Sequence, residues 1–108
     1  MSFKFPKHHK LSQTTDFDRC IQLGEPIKVK PFSCFLLAND RSHHRLGMII
    51  SKRWHKRAHK RNQLKRWIRE TFRVQSATIA YDIVLIPFRN RPIYYEDVKA
   101  LWQQLNLD

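Results

Sequence analysis

The chain has 108 residues, of which 42% are hydrophobic and 12% aromatic, enough for one compact domain with one hydrophobic core. Its 21 lysines and arginines face nine aspartates and glutamates, and the resulting net charge of +12 favours a polyanionic partner, nucleic acid first of all. No apolar run approaches the roughly 18 residues of a membrane span, the start lacks the apolar segment of a secretory signal, and two isolated cysteines make no disulfide scaffold. We therefore expect a single cytoplasmic domain over residues 1–108, with free cysteines.

The first half of the chain predicts a helix followed by two strands. Residues 1–10 are basic and predict an extended, flexible arm. Thr15 is a candidate N-cap for a helix over residues 16–23. Residues 32–37 favour a strand, the segment RLGMIIS favours another, and polar residues lie between them. This pattern indicates two antiparallel strands joined by a loop.

The second half predicts a helix, a strand and a helix. The hydrophobic period changes from two to 3.6 across RWHKRAHKRNQLKRWIRETFRVQ, which indicates a long helix. The short apolar run YDIVLIPF is typical of a strand that is buried on both faces. YYEDVKALWQQLNL has apolar residues at helical spacing and predicts an amphipathic helix. The whole order is helix, strand, strand, helix, strand, helix, which is an α+β pattern.

The long helix carries more positive charge than its own stability favours. Residues 56–73 contain eight cations and one acid, and like charges four residues apart on a helix repel each other. On a helical wheel the apolar residues form one arc, and the polar residues form two stripes outside it. The stripe beside the arc contains Arg61, Lys65 and Arg69, and the stripe facing away contains Asn62, Arg66 and Arg73. Because arginine suits bidentate phosphate contact and stacking on bases, the helix predicts an RNA-binding surface rather than a merely solvated one.

The segment ISKRWHKRAHKRNQLKRWIRETFR resembles the signature of the bacterial ribonuclease P protein subunit. The positions that match are Ala58, Arg61, Asn62, Lys65, Arg66 and Arg69. The Asp-Phe pair at 16–17, the segment FSCF, the Leu-Gly pair before the basic helix and the segment DIVLIP also have counterparts in that family. The resemblance implies a two-layer α/β sandwich of the ribosomal protein S5 domain 2-like type, with a mixed sheet of about four strands. It also implies that the central helix makes a left-handed crossover between neighbouring parallel strands.

The resemblance implies a subunit of a ribonucleoprotein endonuclease that matures the 5′ end of tRNA. In that family a large RNA holds the catalytic Mg²⁺ ions and removes the 5′ leader from precursor tRNA, while the protein binds both the RNA and the leader. We therefore expect no catalytic residue in this chain and no metal or cofactor bound by the protein alone. The expected partners are the ribonuclease P RNA and precursor tRNA, without DNA or membrane, and the isolated chain is expected to be monomeric.

The resemblance also assigns binding residues. Those expected to contact the catalytic RNA are Lys52, Arg53, Arg57, Lys60, Arg61, Asn62, Arg66 and Arg73. Those expected to line a cleft for the leader are Phe17, Ile21, Ser33, Phe35, Lys65 and Arg69. Ile21 replaces a second phenylalanine that is common in the family, and Ser33 replaces an apolar residue. From the residues alone, Phe17 fits a core position equally well, and Trp54 is a further candidate for an RNA contact.

One other function stays open at this point. A small ribosomal protein, or another protein that binds structured RNA without a role in cleavage, would share the charge and the size. A nuclease acting alone would need converging carboxylates, yet the close acid pairs, at 16 and 18 and at 96 and 97, lie at predicted helix starts. His55 and His59 have the spacing of helical zinc ligands, but no nearby cysteine or carboxylate completes a site.

Overall fold

The computed structural model describes residues 9–75, 79–89 and 91–107. Within these ranges the chain forms three helices and four strands, which confirms the predicted α+β class. In chain order they are α1 (Thr14–Leu23), β1 (Glu25–Val29), β2 (Phe32–Ala38), β3 (Arg45–Met48), α2 (Ala58–Phe72), β4 (Tyr81–Pro87) and α3 (Tyr95–Leu105). Most of the predicted basic arm, residues 1–8, lies outside the described ranges.

The four strands form one mixed sheet in the order β1-β2-β4-β3. β2 is antiparallel to β4, and β3 is parallel to β4, so α2 connects two neighbouring parallel strands, as the resemblance implies. β2 and β3 run antiparallel, as predicted, but they are not neighbours, because β4 lies between them. The left hand of the crossover stays a prediction.

The sequence pattern did not predict β1. This strand is antiparallel to β2, from the pair Glu25–Leu36 to the pair Val29–Phe32. Pro26 interrupts its strand pattern, but an edge strand tolerates proline because one side of its backbone needs no partner strand. The predicted cap of α1 is also wrong, since the helix begins at Thr14 and its N-cap, Gln13, makes no side-chain cap hydrogen bond.

Alternation along the strands gives the sheet two different faces. Phe32 and Cys34 of β2, with Ile83 and Leu85 of β4, belong to the main core, which also contains the apolar sides of α2 and α3. The intervening residues of β2 and β4, among them Val84, lie on the opposite face in a smaller core beneath α1. The sheet therefore has the two long helices on one side and α1 on the other.

The two cysteines fill these two cores and form no disulfide. Burial raises the pKa of the Cys20 thiol to about 11 and that of the Cys34 thiol to about 12. Both side chains are therefore protonated thiols with a packing role. Over the described ranges no helix is long and apolar enough to cross a bilayer.

Candidate nucleic-acid interface

Helix α2 presents opposite chemistry on its two sides. Leu64, Ile68 and Phe72 are buried in the main core, whereas Asn62 and Arg66 are exposed, as the helical wheel predicts. The buried and exposed positions along α2 thus confirm the predicted orientation of the helix. Arg73 follows the last turn of the helix and is also exposed.

Among the described residues, the ion-pair partner of Arg66 is Glu70, and the pair is weak. Nε of Arg66 lies 4.0 Å from Oε1 of Glu70, one turn along the helix, and both side chains are solvent-exposed, at 64% and 44%. An exposed ion pair at this distance contributes little, because solvent screens it and both side chains lose rotamer freedom. The guanidinium of Arg66 can therefore exchange this pair for an external anion.

The turn that leads into α2 is a second cationic surface. We call residues 51–57 the basic turn; its exposed cations are Lys52, Arg53, Lys56 and Arg57. Helix α2 begins without a side-chain cap and without an acid in its first turn, where Lys60 adds a further exposed cation. Since the start of a helix carries partial positive charge, this end of α2 is strongly electropositive.

Trp54 anchors the basic turn to the rest of the fold. Its side chain is buried, at 9% exposure, and its Nε1–H donates a hydrogen bond of 2.7 Å to the carbonyl of Arg91. Its ring packs in the main core, and the RNA contact for which the sequence made Trp54 a candidate stays a prediction. The flanking cations suggested an exposed position, and the sequence contains no sign of the bond to residue 91.

Arg61 differs from the other predicted RNA contacts because it is half-buried and already engaged. Its Nη1 donates hydrogen bonds of 2.8 Å each to the carbonyls of His55 and Lys56 in the basic turn. A direct contact of Arg61 with RNA stays a prediction. The structure adds an intramolecular role that the helical wheel did not predict.

Phe17, Lys65 and Arg69 meet around one cavity of about 180 Å³, although they come from different helices. Met48 also lines the cavity; it belongs to β3, which lies between α1 and α2 in the sequence. The remaining lining residues are Lys10, Leu11, Leu46 and Gly47. Lys10 pairs with Leu46, which brings a further cation to this cavity that sequence reasoning missed.

The other three predicted cleft residues continue this surface along the sheet. Ile21 and Phe35 are half-buried and pack in the smaller core with Phe17. Ser33 lies on the same face of β2 as Phe35, and its partner in β1 is Lys28, an exposed cation that alternation places on this face as well. The six predicted cleft residues thus lie along the side of the sheet that carries α1 and around the edge strand β3.

Glycine at position 47 determines how closely α1 approaches the sheet. A Cβ atom there would lie 2.6 Å from Cε1 of Phe17, so the ring rests directly on the backbone of β3. Phe17 is consequently both a packing residue and a wall of the cavity, which combines the two interpretations that its sequence allowed.

One polar atom beside this cavity lacks a partner. Nε of Arg69 is buried and makes no hydrogen bond within the described part of the chain. A buried N–H without an acceptor costs about 1–3 kcal/mol, and more when the group is charged.

A buried ion-pair network joins α1 to the sheet. Arg45 of β3 donates from Nε and Nη2 to the two carboxylate oxygens of Asp82, at 2.8 and 2.7 Å. The same guanidinium lies 3.6 Å from the carboxylate of Asp16 in α1, and Asn39 donates a further hydrogen bond to Asp82. Sequence reasoning missed this network because its members lie in four separate segments.

The carboxylates near the interface do not fit a magnesium site. Asp16 and Asp82 are bound to Arg45, and Asp97 accepts the backbone N–H of Tyr94 at the start of α3. In the part of the chain that the structure describes, no three histidine, cysteine, aspartate or glutamate residues form a group that could hold a metal ion. No chemical step through a protein-bound metal follows from these residues.

Together, the sheet order and the charge distribution define a basic α+β protein whose crossover helix buries one side and exposes a cationic side. The sequence model of the Ribonuclease P family matches residues 5–106, nearly the whole chain. The chain belongs to this family, which confirms the resemblance seen in the sequence and sets aside the ribosomal alternative. It is the protein component of a ribonucleoprotein enzyme, and its partner is the ribonuclease P RNA.

Individual relatives agree with this assignment. The ribonuclease P protein component of Blochmanniella pennsylvanica is 39% identical over 107 residues, covering 97% of this chain and 92% of the relative. The ribonuclease P protein of Staphylococcus aureus superimposes with a TM-score of 0.76 at 27% identity, over 91% of this chain and 92% of the other. The Thermotoga maritima protein superimposes with a TM-score of 0.74 at 27% identity, over 89% and 93%.

Proposed function

We propose that this chain binds the ribonuclease P RNA through α2 and the basic turn, and the 5′ leader of precursor tRNA through the cavity beside α1. The observation that carries the proposal is that α2 is fixed in the core by one side while its opposite side exposes Arg66, whose 4.0 Å pair with Glu70 is weak and solvent-exposed, beside the exposed cations of the basic turn. In this arrangement the RNA catalyses the cleavage, and the protein binds and orients the precursor tRNA and the catalytic RNA.

The proposed surface for the catalytic RNA combines the basic turn with the outward stripe of α2. Its residues are Lys52, Arg53, Arg57, Lys60, Arg61, Asn62, Arg66 and Arg73. Phosphate contacts by several of these cations release counterions, so binding should weaken by about 0.7 to 0.9 in log K per phosphate for each tenfold rise in salt. Such binding recognises the shape and charge of a folded RNA, and guanidinium groups add the option of bidentate contact.

The proposed leader site combines aromatic rings with cations, which suits a single strand. Phe17 and Phe35 offer ring surface on which bases can stack, while Lys65 and Arg69 lie where phosphates would pass. Stacking on aromatic rings tolerates any base sequence, so the site needs no base-specific hydrogen bonds. The three cations in the lining of the cavity, Lys10, Lys65 and Arg69, support an anionic occupant. Ile21 and Ser33 would add contact area rather than stacking.

The proposal assigns no catalytic group to this chain. Magnesium ions would be held by RNA phosphates and would stabilise the charge that develops at the scissile phosphate. The role of the protein residues is to bring the leader and the catalytic RNA together. We propose that the chain does so in the cytoplasm and that it is monomeric without RNA.

Replacing Phe17 with alanine should weaken binding of precursor tRNA to the holoenzyme about five- to 150-fold, because one stacked base contributes about 1–3 kcal/mol and each 1.4 kcal/mol is a factor of ten. Binding of mature tRNA, which has no leader, should change less than twofold. Affinities of both tRNAs for the enzyme reconstituted with each variant would be measured, with circular dichroism as a check of the fold.

Leu23→Ala is the matched control, since this residue is on the same helix but 67% exposed at its far end. It should leave both affinities unchanged. Equal losses for precursor and mature tRNA in Phe17→Ala would argue against a leader site beside α1. Phe35→Ala tests the same site from the sheet side.

A further inference from the structure

Arg61 holds the basic turn against the start of α2. It lies in the second turn of the helix, and one nitrogen, Nη1, donates to two successive carbonyls, those of His55 and Lys56. These carbonyls belong to the residues just before Arg57, the N-cap. The contact thus links the helix to the chain that leads into it.

The basic turn needs such a contact because its cations repel one another and the positive start of α2. Lys56, Arg57 and Lys60 lie at the end of a helix that is itself partially positive, and no acid in the first turn offsets them. The usual stabilising device, an Asn, Asp, Ser or Thr side chain at the N-cap, is absent because the cap is Arg57. A guanidinium directed at two carbonyl oxygens opposes this repulsion from inside the turn.

The rest of the turn is also ordered from within the chain. The carbonyl of Ser51 accepts the N–H groups of Trp54 and His55, at 3.0 and 3.4 Å, and Nδ1 of His55 accepts the N–H of Arg57. At one end the indole of Trp54 is fixed in the core, and at the other end Arg61 holds the two carbonyls. Lys52 and Arg53 are exposed and lie just before Trp54, in the loop that the two bonds to the carbonyl of Ser51 close.

We propose that Arg61 is a positioning residue: it orders the basic turn so that Lys52, Arg53 and Lys56 meet RNA phosphates together. This inference rests on the proposed RNA-binding surface and gives two of its residues different roles. Arg66, one helical turn further on, contacts RNA with its own charge, whereas most of the effect of Arg61 passes through the turn.

The first test measures hydrogen exchange in the free protein, without RNA. Arg61→Ala should accelerate exchange at the amides of Trp54, His55 and Arg57 at least tenfold, while the amides of β4 stay unchanged. Arg66→Ala is the control and should leave exchange in the basic turn unchanged, because that side chain does not touch the turn. Unchanged exchange in Arg61→Ala would overturn the proposal.

The second test is a double-mutant cycle for binding to a ribonuclease P RNA. The paired change Lys52→Ala and Arg53→Ala should lower affinity at least tenfold when Arg61 is present, but less than threefold in the Arg61→Ala background, because the turn is then already disordered. The same pair combined with Arg66→Ala should give multiplicative losses. Multiplicative losses with Arg61→Ala as well would show that Arg61 acts by direct contact alone, and would overturn the proposal.

Arg61→Lys keeps the test sharp if the alanine variant folds poorly. Lysine retains the charge, but its ammonium group lacks the planar set of donors of the guanidinium and its side chain is shorter. The two bonds to the carbonyls should therefore be lost, and exchange in the turn should still accelerate. Retention of both slow exchange and full RNA affinity would contradict the positioning role. If no variant, Arg66→Ala included, alters RNA affinity, the RNA-binding surface is wrong, while the exchange experiment still decides whether Arg61 orders the turn.

Discussion

Removing three cations from the proposed RNA surface should lower affinity for the ribonuclease P RNA by about a hundredfold. The variant combines Lys52→Ala, Arg53→Ala and Arg66→Ala. At about 1 kcal/mol for each lost phosphate contact, the sum is about 3 kcal/mol, and each 1.4 kcal/mol is a factor of ten. The slope of log K against log salt should fall by about 2 to 2.7, since each contact contributes about 0.7 to 0.9.

A control of equal charge separates specific contacts from general attraction. Lys30, Arg41 and Lys99 are exposed cations that belong neither to the outward stripe of α2 nor to the basic turn, and their replacement by alanine removes the same three charges from the net +12. This control should lose less than fivefold in affinity, because these cations are not among the proposed phosphate contacts. Similar losses for both triple variants would mean that net charge alone attracts the RNA.

Replacing Asp82 with asparagine should lower the free energy of unfolding by about 3–5 kcal/mol. The side chain of Arg45 is only 12% exposed and would keep its charge. It would lose the carboxylate of Asp82 and keep only the more distant carboxylate of Asp16. Breaking a buried pair from one side is costly because the remaining charge is left uncompensated. Urea unfolding at neutral pH measures the loss, and Asp18→Asn, at an exposed position in α1, should change stability by less than about 0.5 kcal/mol.

The same network should make the fold sensitive to acid. Burial alone would raise the pKa of the Asp82 carboxyl, but hydrogen bonds from Arg45 and Asn39 outweigh burial and hold the pKa below its ordinary value of 3.8. Because the folded pKa is the lower one, the stabilisation is fully present above pH 3.8 and is lost as the pH falls through the folded pKa. Asp82→Asn should show a smaller loss of stability between pH 6 and pH 3 than the unaltered chain. An equal loss in both would assign acid sensitivity to other groups.

This network also has a consequence for function. Arg45 connects the sheet to Asp16, and Phe17 is the next residue of α1. Loss of the network should therefore loosen the wall of the cavity before the main core unfolds. Asp82 lies far from Phe17 in the sequence, yet it is linked through Arg45 to Asp16, the residue before the ring that rests on the backbone of Gly47.

The sequence was sufficient to predict the long elements, because their hydrophobic period is strong. Helix α2 has buried residues at helical spacing, and β4 is a continuous apolar run. The pattern of β1, EPIKV, is weaker, since proline and lysine break the alternation of a short edge strand. The order of the strands in the sheet was not predictable either. Strand propensity is a local property and does not indicate that β4 lies between β2 and β3.

For the interface, the helical wheel predicted directions but not contacts. It correctly separated the buried side of α2 from the exposed side that carries Arg66. It did not show that Arg61 reaches back to the basic turn, nor that Trp54 is buried, because both depend on hydrogen bonds to carbonyls elsewhere in the chain. The ion pair between Arg45 and Asp82 joins residues 37 positions apart and has no local signature.

Cleavage of precursor tRNA at low magnesium by the reconstituted ribonucleoprotein tests most directly whether the cationic side of α2 and the basic turn bind the catalytic RNA. A bacterial ribonuclease P RNA would be assayed alone, with this chain, with the triple variant of the RNA surface and with the charge-matched control. The chain and the control should raise the cleavage rate well above that of the RNA alone, and the triple variant should lose most of this gain at the same protein concentration. Equal stimulation by the triple variant would contradict the RNA-binding surface, and no stimulation by the unaltered chain would contradict the proposed function.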